Sequence, residues 1–587
     1  MEVGKYEVVV GIDFGSSGCG FAYSFMNENK IYHSDIEGSN VDKKVPTEII
    51  LDDKNYILAF GSKCRQYLKE KGLNAGHYFK EIKMHLYRKE KLIKSSNSNK
   101  TLPIIEVIQK ILEKLKDLCI DQLTKSWNDI QETNIKWVVT VPAIWGDFEK
   151  DIMIKACEDA GLIGNNVDKS LFFALEPEAA SLYCFRNDSI NKEYIKKGEY
   201  YIVCDLGGGT GDIVTHLVGN NMTLKEIEPA CGGDYGSNEL DKKIFNNIIY
   251  KIFGYKDFFS LKEKYQELDL DDKDETVLFE SWCNLEKDIK DFKEGINIKK
   301  INEKEKYPIC CDVFQEFFDE EINLSDLVNN YNITVEDPDL KLEIKSKKKW
   351  IILFPYKILD NYIKEQSDLI VNKIKNIIKR IKEDKNVNIN KLIFVGGYCS
   401  NEVIISKIQL DLYENIAFFL KPSNPYLAIM EGAVLFGVNP NIIDTRIARY
   451  TIGMETRDFW KEEIHSKNGT KIFDEDYNAY RCDKCFCKFI EVNQKLKIDE
   501  EIPPHNFSMV GPRKCTLHFY KSLKPNPIFT FENGVEKIAD CELDAGKDYP
   551  VLERSFKVYM KLSGTFIDVK AIHEKSGNQC KVNLKFD

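Results

Sequence analysis

Two segments of the chain place a carboxylate immediately before a glycine-rich turn. Asp13 follows the apolar run 8–12, and Asp205 follows the run 201–204. The turns contain Gly15, Ser16 and Ser17 in the first segment and Gly207, Gly208, Gly209 and Thr210 in the second. Glycine permits close backbone approach, so that successive N–H groups face an anion. A carboxylate beside a polyphosphate needs a cation, usually Mg²⁺ with bound waters. The two segments together predict a nucleotide bound between two related lobes.

The residues around both turns exclude two common phosphate-binding motifs. No Gly-Lys-Ser/Thr follows either turn, and neither turn has the Gly-x-Gly-x-x-Gly pattern of a dinucleotide site. The strand pattern returns at 20–25 and 213–217, which predicts hairpins. One such segment alone would indicate an ordinary connecting turn. Two copies in equivalent contexts favour phosphate binding.

This arrangement resembles the actin, hexokinase and heat-shock superfamily, and within it the 70-kDa heat-shock protein family. Further segments are similar to the family's subdomain-joining strand, its Glu-Pro-x-Ala-Ala segment, its adenosine-binding strand and its last lobe helix. They lie at 138–145, 174–180, 392–397 and 425–433. Residues 79–84, 235–237 and 468–470 look like the divergent twelfth-type branch.

The resemblance implies an α/β fold with a duplicated, two-lobe, actin-like ATPase domain built from ribonuclease H-like halves. We expect lobe I at 1–198 and lobe II at 199–440, with a charged helical insertion at about 240–306. A C-terminal β-sandwich-like domain is expected at 441–587, without the family's helical lid.

Hydrophobic periodicity agrees with alternating helices and strands. Apolar residues at helical spacing predict a long amphipathic helix at 104–124 before a strand at 135–141. A second helix is predicted near 357–383 before a strand at 391–395. From about residue 449 the pattern changes to short alternating strands, with one predicted face formed by Phe556, Val558, Met560 and Leu562.

The resemblance also implies roles for individual side chains. Asp13 and Asp205 would hold Mg²⁺ through its waters, with Asp212 as a further candidate. Glu176 matches the residue that orients the attacking water, and Lys83 matches a lysine near the γ-phosphate. For Lys83, the ordinary alternative is a lysine on a surface helix.

The adenosine end of the site is expected after the strand at 391–395. Gly396 and Gly397 would allow close approach of adenosine, and the alternative is a simple tight turn. Tyr398 stands where family members carry a small hydroxyl residue, so the base pocket should differ. Glu286, Lys287 and Lys290 lie in the helix that should face adenosine, in an uncertain register.

Composition restricts the partners and the compartment. The 587 residues contain 43% apolar residues and carry a net charge of −11, which argues against nucleic acid and anionic membranes. No apolar stretch reaches the roughly eighteen residues of a membrane helix, and residues 1–7 leave no room for a signal peptide. Scattered cysteines, 17 in all, fit a reducing compartment. A cytoplasmic protein is expected.

One cysteine cluster could bind a metal. Cys482, Cys485 and Cys487 could supply thiolates to zinc, which normally takes four ligands in structural sites. The downstream residues that could complete such a site are Cys515, His505 and His518. Because no second close pair follows, unpaired thiols on a strand are the favoured interpretation.

Three functions follow from these observations. The favoured one is a slow, Mg²⁺-dependent, chaperone-like ATPase that alternates between ATP and ADP. Its β domain would bind a protein or peptide client, and a nucleotide-exchange partner would act on it. The second is a nucleotide-gated scaffold with negligible hydrolysis, and the third is a small-molecule kinase of the same superfamily.

Overall fold

A computed structural model describes residues 6–28, 30–36, 43–127, 130–162, 171–186, 195–255, 257–258, 260–261, 264, 272–318, 322–335, 337–564 and 566–585. The chain divides into two compact units. Unit 1 contains Met1–Ile195, Tyr200–Ile213 and Ala230–Val438. Unit 2 contains Lys196–Glu199, Val214–Pro229 and Asn439–Asp587.

The chain up to Val438 contains both strands and helices. The strands are β1 (Val8–Phe14), β2 (Gly18–Phe25), β3 (Tyr32–His33), β4 (Val45–Pro46), β5 (Ile49–Leu51), β6 (Ile57–Phe60), β7 (His77–Phe79), β8 (Leu92–Lys94), β9 (Thr101–Pro103), β10 (Ile135–Val141), β11 (Leu171–Leu175), β12 (Tyr200–Leu206), β13 (Gly211–Val218), β14 (Leu224–Gly233), β15 (Lys306–Cys310), β16 (Glu343–Ser346), β17 (Ile351–Pro355), β18 (Lys391–Val395) and β19 (Phe418–Leu420). The α-helices are Lys63–Lys71, Ile82–Tyr87, Ile104–Ser126, Asp147–Asp159, Glu176–Arg186, Asn238–Ile244, Tyr250–Phe253, Asp272–Glu294, Ile298–Asn302, Leu324–Ile333, Tyr356–Lys385, Glu402–Leu412 and Ala428–Val438.

The two strands that carry Asp13 and Asp205 have equivalent neighbours. In the first sheet, with the order β11-β10-β1-β2-β3, β1 lies parallel to β10 and antiparallel to β2. In the second, β12 lies between β18, to which it is parallel, and β13. Every residue of β1 is buried, as expected for a continuous apolar run covered on both faces.

The amphipathic helices form where the periodicity predicts them. The predictions of helices at 104–124 and near 357–383 are confirmed by Ile104–Ser126 and Tyr356–Lys385. The predicted strand at 391–395 is confirmed as β18. Within the charged segment at about 240–306, the helix Asp272–Glu294 buries an apolar face. That face includes Trp282, Leu285, Ile289 and Phe292.

A close helix crossing positions the start of the helix Glu176–Arg186. A Cβ atom at Gly432, in the helix Ala428–Val438, would lie only 1.8 Å from the carbonyl oxygen of Ala179. Glycine is therefore required for the two backbones to approach so closely. The same helix contacts β1, since a Cβ at Gly11 would lie 2.9 Å from the Cβ of Ala433. This packing ties the helix that begins at Glu176 to the sheet that contains Asp13.

Unit 2 is rich in antiparallel strands. After Val438 the strands are β20 (Ile443–Ile447), β21 (Thr451–Phe459), β22 (Thr470–Asp474), β23 (Ala479–Ile490), β24 (Lys495–Lys497), β25 (Glu501–Ser508), β26 (Lys514–Ser522), β27 (Val535–Asp544), β28 (Ser555–Ser563), β29 (Phe566–His573) and β30 (Gln579–Lys585). One sheet has the order β22-β23-β21-β26-β27 and another the order β25-β28-β29-β30. A short helix, Glu462–His465, lies between β21 and β22.

Both of these sheets contribute to one apolar core. Ile452 and Phe519 come from the first sheet, and Val558 and Ile567 come from the second. The predicted alternation along β28 is confirmed, because Phe556, Val558, Met560 and Leu562 are buried while the intervening side chains are partly exposed.

The mixed α/β class is confirmed as well. Among the described helices, none combines the length and the apolar character needed to cross a bilayer.

Candidate nucleotide and metal site

Asp13 lies in the first hairpin, just before the turn. Asp13 is buried near the end of β1, and Thr140 donates a 3.5 Å hydrogen bond to its Oδ1. Lys44 lies with its Nζ 2.6 Å from Oδ2 of the same carboxylate. Thr47 donates to the carbonyl oxygen of Gly15 over 2.7 Å, which fixes the turn. Asp13 is therefore already paired with a cationic side chain.

The second hairpin holds Asp205 without such a pairing. Its turn is closed by a 3.0 Å hydrogen bond from the N–H of Gly207 to the carbonyl oxygen of Thr210. The N–H of Asn238 also donates to the carbonyl oxygen of Gly208 over 2.8 Å. Both carboxylate oxygens of Asp205 are buried and have no hydrogen-bond partner among the described residues. Burial of an unpartnered carboxylate is costly, which marks this oxygen pair as a position for a cation.

The two glycine-rich turns contact each other. A Cβ at Gly208 would lie 1.9 Å from Oγ of Ser17, and a Cβ at Gly209 would lie 2.5 Å from Oγ of Ser16. Ser17 also donates a 3.1 Å hydrogen bond to Oδ1 of Asn238. The structure thus brings together the turn residues that the sequence analysis predicted, and the glycines are required by this contact.

Glu176 and Lys83 form a buried ion pair. Nζ of Lys83 donates to Oε1 of Glu176 over 2.5 Å, with 4% and 8% of the respective side chains exposed. The ring of Trp145 lies 5.5 Å from the same Nζ. The surface-lysine alternative for Lys83 is therefore wrong. Asp212 is also buried, and its Oδ1 accepts a 3.1 Å hydrogen bond from the N–H of Ile144.

The carboxylates influence one another electrostatically. Burial raises the pKa of Asp205 well above its ordinary value, and the negative charges of Glu176, Asp212 and Asp13 raise it further. Burial also raises the pKa of Glu176, although Lys83 opposes that shift. Within this cluster Lys44 pairs with Asp13 and Lys83 pairs with Glu176, whereas Asp205 has no ion-pair partner among the described residues. The donor set and the unpartnered oxygens of Asp205 fit a hard divalent cation such as Mg²⁺.

The glycines after β18 differ in their environments. Gly396 has a φ of +86°, and a Cβ there would lie 2.4 Å from Oδ1 of Asp205 and 2.4 Å from the carbonyl oxygen of Leu206. At Gly397 a Cβ would have no neighbour within 4 Å. Tyr398 is buried, and its hydroxyl donates to Oε1 of Gln366 over 2.9 Å. Gly396 therefore contacts the carboxylate cluster, whereas Gly397 has open space beside it.

The helix Asp272–Glu294 uses Glu286 for ion pairing. Oε1 of Glu286 accepts from Nζ of Lys80 over 2.7 Å and from Nε1 of Trp282 over 3.0 Å. Arg65 lies 3.1 Å from its other oxygen. Burial alone would raise the pKa of Glu286, but Lys80 and Arg65 outweigh burial and lower it. Lys287 and Lys290 are exposed on the same helix.

Comparisons with curated proteins find relatives that match nearly the whole chain. Human (Homo sapiens) heat shock 70 kDa protein 12A is 25% identical to it over 655 residues, covering 99% of this chain and 92% of the relative. Human heat shock 70 kDa protein 12B is 24% identical over 656 residues, covering 99% and 91%. The chain is similar over nearly its whole length to the 12-type branch of the 70-kDa heat-shock protein family. The resemblance inferred from the sequence motifs is thereby confirmed.

A second similarity covers only part of the chain. The chaperone protein HscA homolog of Rickettsia felis is 30% identical over 214 residues, which cover 35% of this chain and 30% of that relative. No protein-family model matches the chain. The similarity to the 12-type proteins therefore covers far more of the chain than the similarity to the HscA homolog does.

The sequence analysis missed two residues of this candidate site. Lys44 pairs with Asp13, and Asn238 accepts from Ser17. Neither residue belongs to a motif that the sequence displays. Lys44 lies next to Val45, which pairs with Cys19 of β2, so it is the fold that brings Lys44 beside the first hairpin.

Proposed function

We propose that this protein binds ATP and ADP with Mg²⁺, hydrolyses ATP slowly and acts as a chaperone-like protein. The observation that carries the proposal is the buried Asp205, whose unpartnered oxygens lie among Asp13, Glu176 and Asp212 beside two contacting glycine turns. Relatives named heat shock 70 kDa protein 12A and chaperone protein HscA homolog support ATP binding and the chaperone-like part of this proposal.

Each group in the site has a proposed role. Asp13 and Asp205 hold Mg²⁺ through its waters, with Asp212 as an additional acceptor, while Lys83 neutralises charge on the γ-phosphate. The backbone N–H groups of the turns bind the phosphates, and these turns comprise Gly15, Ser16 and Ser17 with Gly207, Gly208, Gly209 and Thr210. Bound Mg²⁺ would neutralise charge that develops on the phosphate oxygens. Glu176 orients the attacking water.

The adenosine lies beside Gly396 and Gly397 in this proposal. Gly396 contacts Asp205 and so fixes the end of β18 against the carboxylates. Gly397 leaves open space in which a bound nucleoside can approach the backbone. Tyr398 occupies the adjoining position, where its hydroxyl donates to Gln366, and it forms part of the base pocket in this proposal.

The proposed domain organisation links this site to client binding. Residues 1–198 and 199–440 form the two actin-like lobes, with the charged insertion at about 240–306. Residues 441–587 form a β-sandwich-like domain that binds a protein or peptide client. The nucleotide state controls lobe closure, closure controls client binding, and a partner protein promotes nucleotide exchange.

A nucleotide-gated scaffold with negligible hydrolysis is the second candidate. It is favoured by the two ion pairs, since Lys44 already neutralises Asp13 and Lys83 already neutralises Glu176. A carboxylate held in an ion pair is a weaker hydrogen-bond acceptor for water and a weaker metal ligand. Binding and hydrolysis need nearly the same residues, so only turnover separates the two candidates.

Client binding can be tested with an unfolded, fluorescently labelled peptide. We expect its anisotropy to report fast, weak exchange that differs between Mg·ATP and Mg·ADP. Asp205→Asn should abolish the difference between nucleotides while the peptide still binds. Identical peptide exchange in the two nucleotide states would contradict the coupling, and phosphorylation of a sugar or polyol in a parallel screen would instead indicate a kinase.

A further inference from the structure

A cluster of two thiols and one imidazole lies within unit 2, and we call His465, Cys482 and Cys485 the thiol–imidazole cluster. One potential ligand atom from each residue lies within 4.8 Å of the others. All three residues are buried, with exposed fractions of 3%, 0% and 2%. Two thiols and an imidazole that converge in this way are the donors that zinc prefers.

An irregularity in β23 turns both thiols toward His465. Cys485 is paired with Thr456 and Cys482 with Asp458, so β23 has one more residue than β21 between these pairs. Lys484, within that stretch, has a left-handed φ of 57°. In a regular strand, residues three positions apart point to opposite faces. The bulge removes this alternation and lets both sulfur atoms approach the same imidazole.

The segment that follows the helix Glu462–His465 packs closely against the sulfur of Cys482. The N–H of Gly469 donates to the carbonyl oxygen of His465 over 2.8 Å. A Cβ at Gly469 would lie 2.8 Å from Sγ of Cys482 and 3.0 Å from Cβ of His465. Glycine at this position therefore provides the space that the cluster needs.

Aromatic side chains surround the cluster. The ring centroids of Trp460 and Phe529 lie 5.6 Å and 6.1 Å from that of His465. Phe529 also belongs to the same small apolar core as Cys482 and Cys485. A dry environment strengthens bonds between a cation and thiolates and limits access of competing water.

We propose that the thiol–imidazole cluster is a binding site for Zn²⁺. Two thiolates and one imidazole nitrogen occupy three positions of a tetrahedron, and water or an outside ligand takes the fourth. Binding deprotonates Cys482 and Cys485 and releases two protons for each zinc ion bound. The metal would join the connection between β21 and β22 to the bulge of β23.

Metal binding requires a rearrangement of protons at His465. Nδ1 of His465 accepts a 3.0 Å hydrogen bond from the N–H of Lys461, and Nε2 lies 4.0 Å from Sγ of Cys485. Zinc at Nε2 moves the ring proton to Nδ1 and breaks the hydrogen bond to Lys461. One hydrogen bond contributes far less free energy than two zinc–thiolate bonds, so the exchange favours the metal.

The completing residues that the sequence suggested, Cys515, His505 and His518, do not belong to the cluster. Sγ of Cys487 lies 3.4 Å from Nδ1 of His505, and Nδ1 of His518 lies 2.6 Å from Oδ1 of Asp540. Cys515 pairs across the sheet with Leu543. His465 instead completes the set with Cys482 and Cys485. Cys487 is therefore a matched control for the two proposed ligands on the same strand.

The test uses the full chain, purified in a non-thiol reductant, stripped with a chelator and then reloaded with Zn²⁺. Elemental analysis after dialysis should give one zinc per chain for the wild type and for Cys487→Ser. Cys482→Ser and His465→Gln should each lower zinc affinity by more than about 100-fold, because changes outside the ligand set alone cost up to that much. Circular dichroism would establish that each variant is folded.

Cobalt substitution provides a readout that does not depend on the folding of a variant. Wild-type protein loaded with Co²⁺ should acquire thiolate-to-cobalt charge-transfer absorbance together with the visible bands of tetrahedral cobalt. Excess Zn²⁺ should remove both. Absence of these bands, wild-type zinc affinity in Cys482→Ser, or a Cys482–Cys485 disulfide formed in place of metal binding would overturn the proposal.

Discussion

Lys83 and Glu176 form a 2.5 Å hydrogen-bonded ion pair that is nearly sealed from solvent. The pair joins the helix Ile82–Tyr87 to the start of the helix Glu176–Arg186. Because charges in such a position are stabilised mainly by each other, the pair makes the position of Glu176 dependent on Lys83.

Removal of Lys83 should therefore destabilise the protein. Lys83→Met leaves the buried carboxylate of Glu176 without its partner, at an expected cost of about 3–5 kcal/mol in the free energy of unfolding. The double variant Lys83→Met with Glu176→Gln should recover most of that loss. Urea denaturation of the full-length protein, followed by intrinsic fluorescence, measures the free energy of unfolding of both variants. Equal stability of wild type and Lys83→Met would show that the ion pair does not stabilise the packing of the helices Ile82–Tyr87 and Glu176–Arg186.

Gly396 and Gly397 are adjacent, yet alanine should affect them differently. Gly396→Ala places a methyl group against Asp205 and Leu206 and forces alanine into a left-handed conformation, at a cost of at least about 1–3 kcal/mol. Gly397→Ala enters open space and should leave the stability of the nucleotide-free protein unchanged within about 0.5 kcal/mol. Thermal melting of the two variants in parallel checks this. Equal destabilisation by both would be inconsistent with the described turn.

Lys44 should compete with Mg²⁺ for the carboxylate of Asp13. Lys44→Gln frees that carboxylate, so half-maximal ATP binding should need roughly fivefold less Mg²⁺, which corresponds to about 1 kcal/mol. Lys43→Gln is the matched control, because the Lys43 side chain is exposed. Titration of Mg²⁺ at fixed ATP measures the shift. An increased Mg²⁺ requirement in Lys44→Gln would mean that Lys44 contacts the phosphates instead.

His216 should make the stability of unit 2 depend on pH. Burial, with a smaller contribution from the positive charge of Arg446, lowers the pKa of His216 from 6.5 to about 3. The unfolded chain therefore binds a proton more readily than the folded chain between these values. Stability should be full above pH 6.5 and fall as the pH is lowered toward about 3, with a slope of up to about 1.4 kcal/mol per pH unit. His216→Gln should flatten this part of the profile, and an unchanged slope would contradict the assignment.

Local patterns in the sequence were sufficient to predict helices and strands, but they did not predict contacts between distant segments of the chain. Continuous apolar runs located β1 and β12, and helical spacing located Ile104–Ser126. Lys44 was missed because its pairing with Asp13 depends on how β4 lies against β2.

His465 was missed for a similar reason. It lies well before Cys482, outside any recognisable ligand spacing, and only the bulge of β23 makes the two thiols converge on it. Periodicity describes which face a residue occupies. It does not describe which distant segment meets that face.

Single-turnover hydrolysis of Mg·ATP by the purified full chain tests the central claim most directly. Asp205→Asn removes the unpartnered carboxylate and also controls for contaminating ATPases. We expect slow turnover in the wild type and at least about a 100-fold lower rate in Asp205→Asn, with the fold retained. Equal turnover in the two proteins would contradict the proposed metal site, and bound ATP without any hydrolysis in the wild type would contradict the ATPase and favour the nucleotide-gated scaffold.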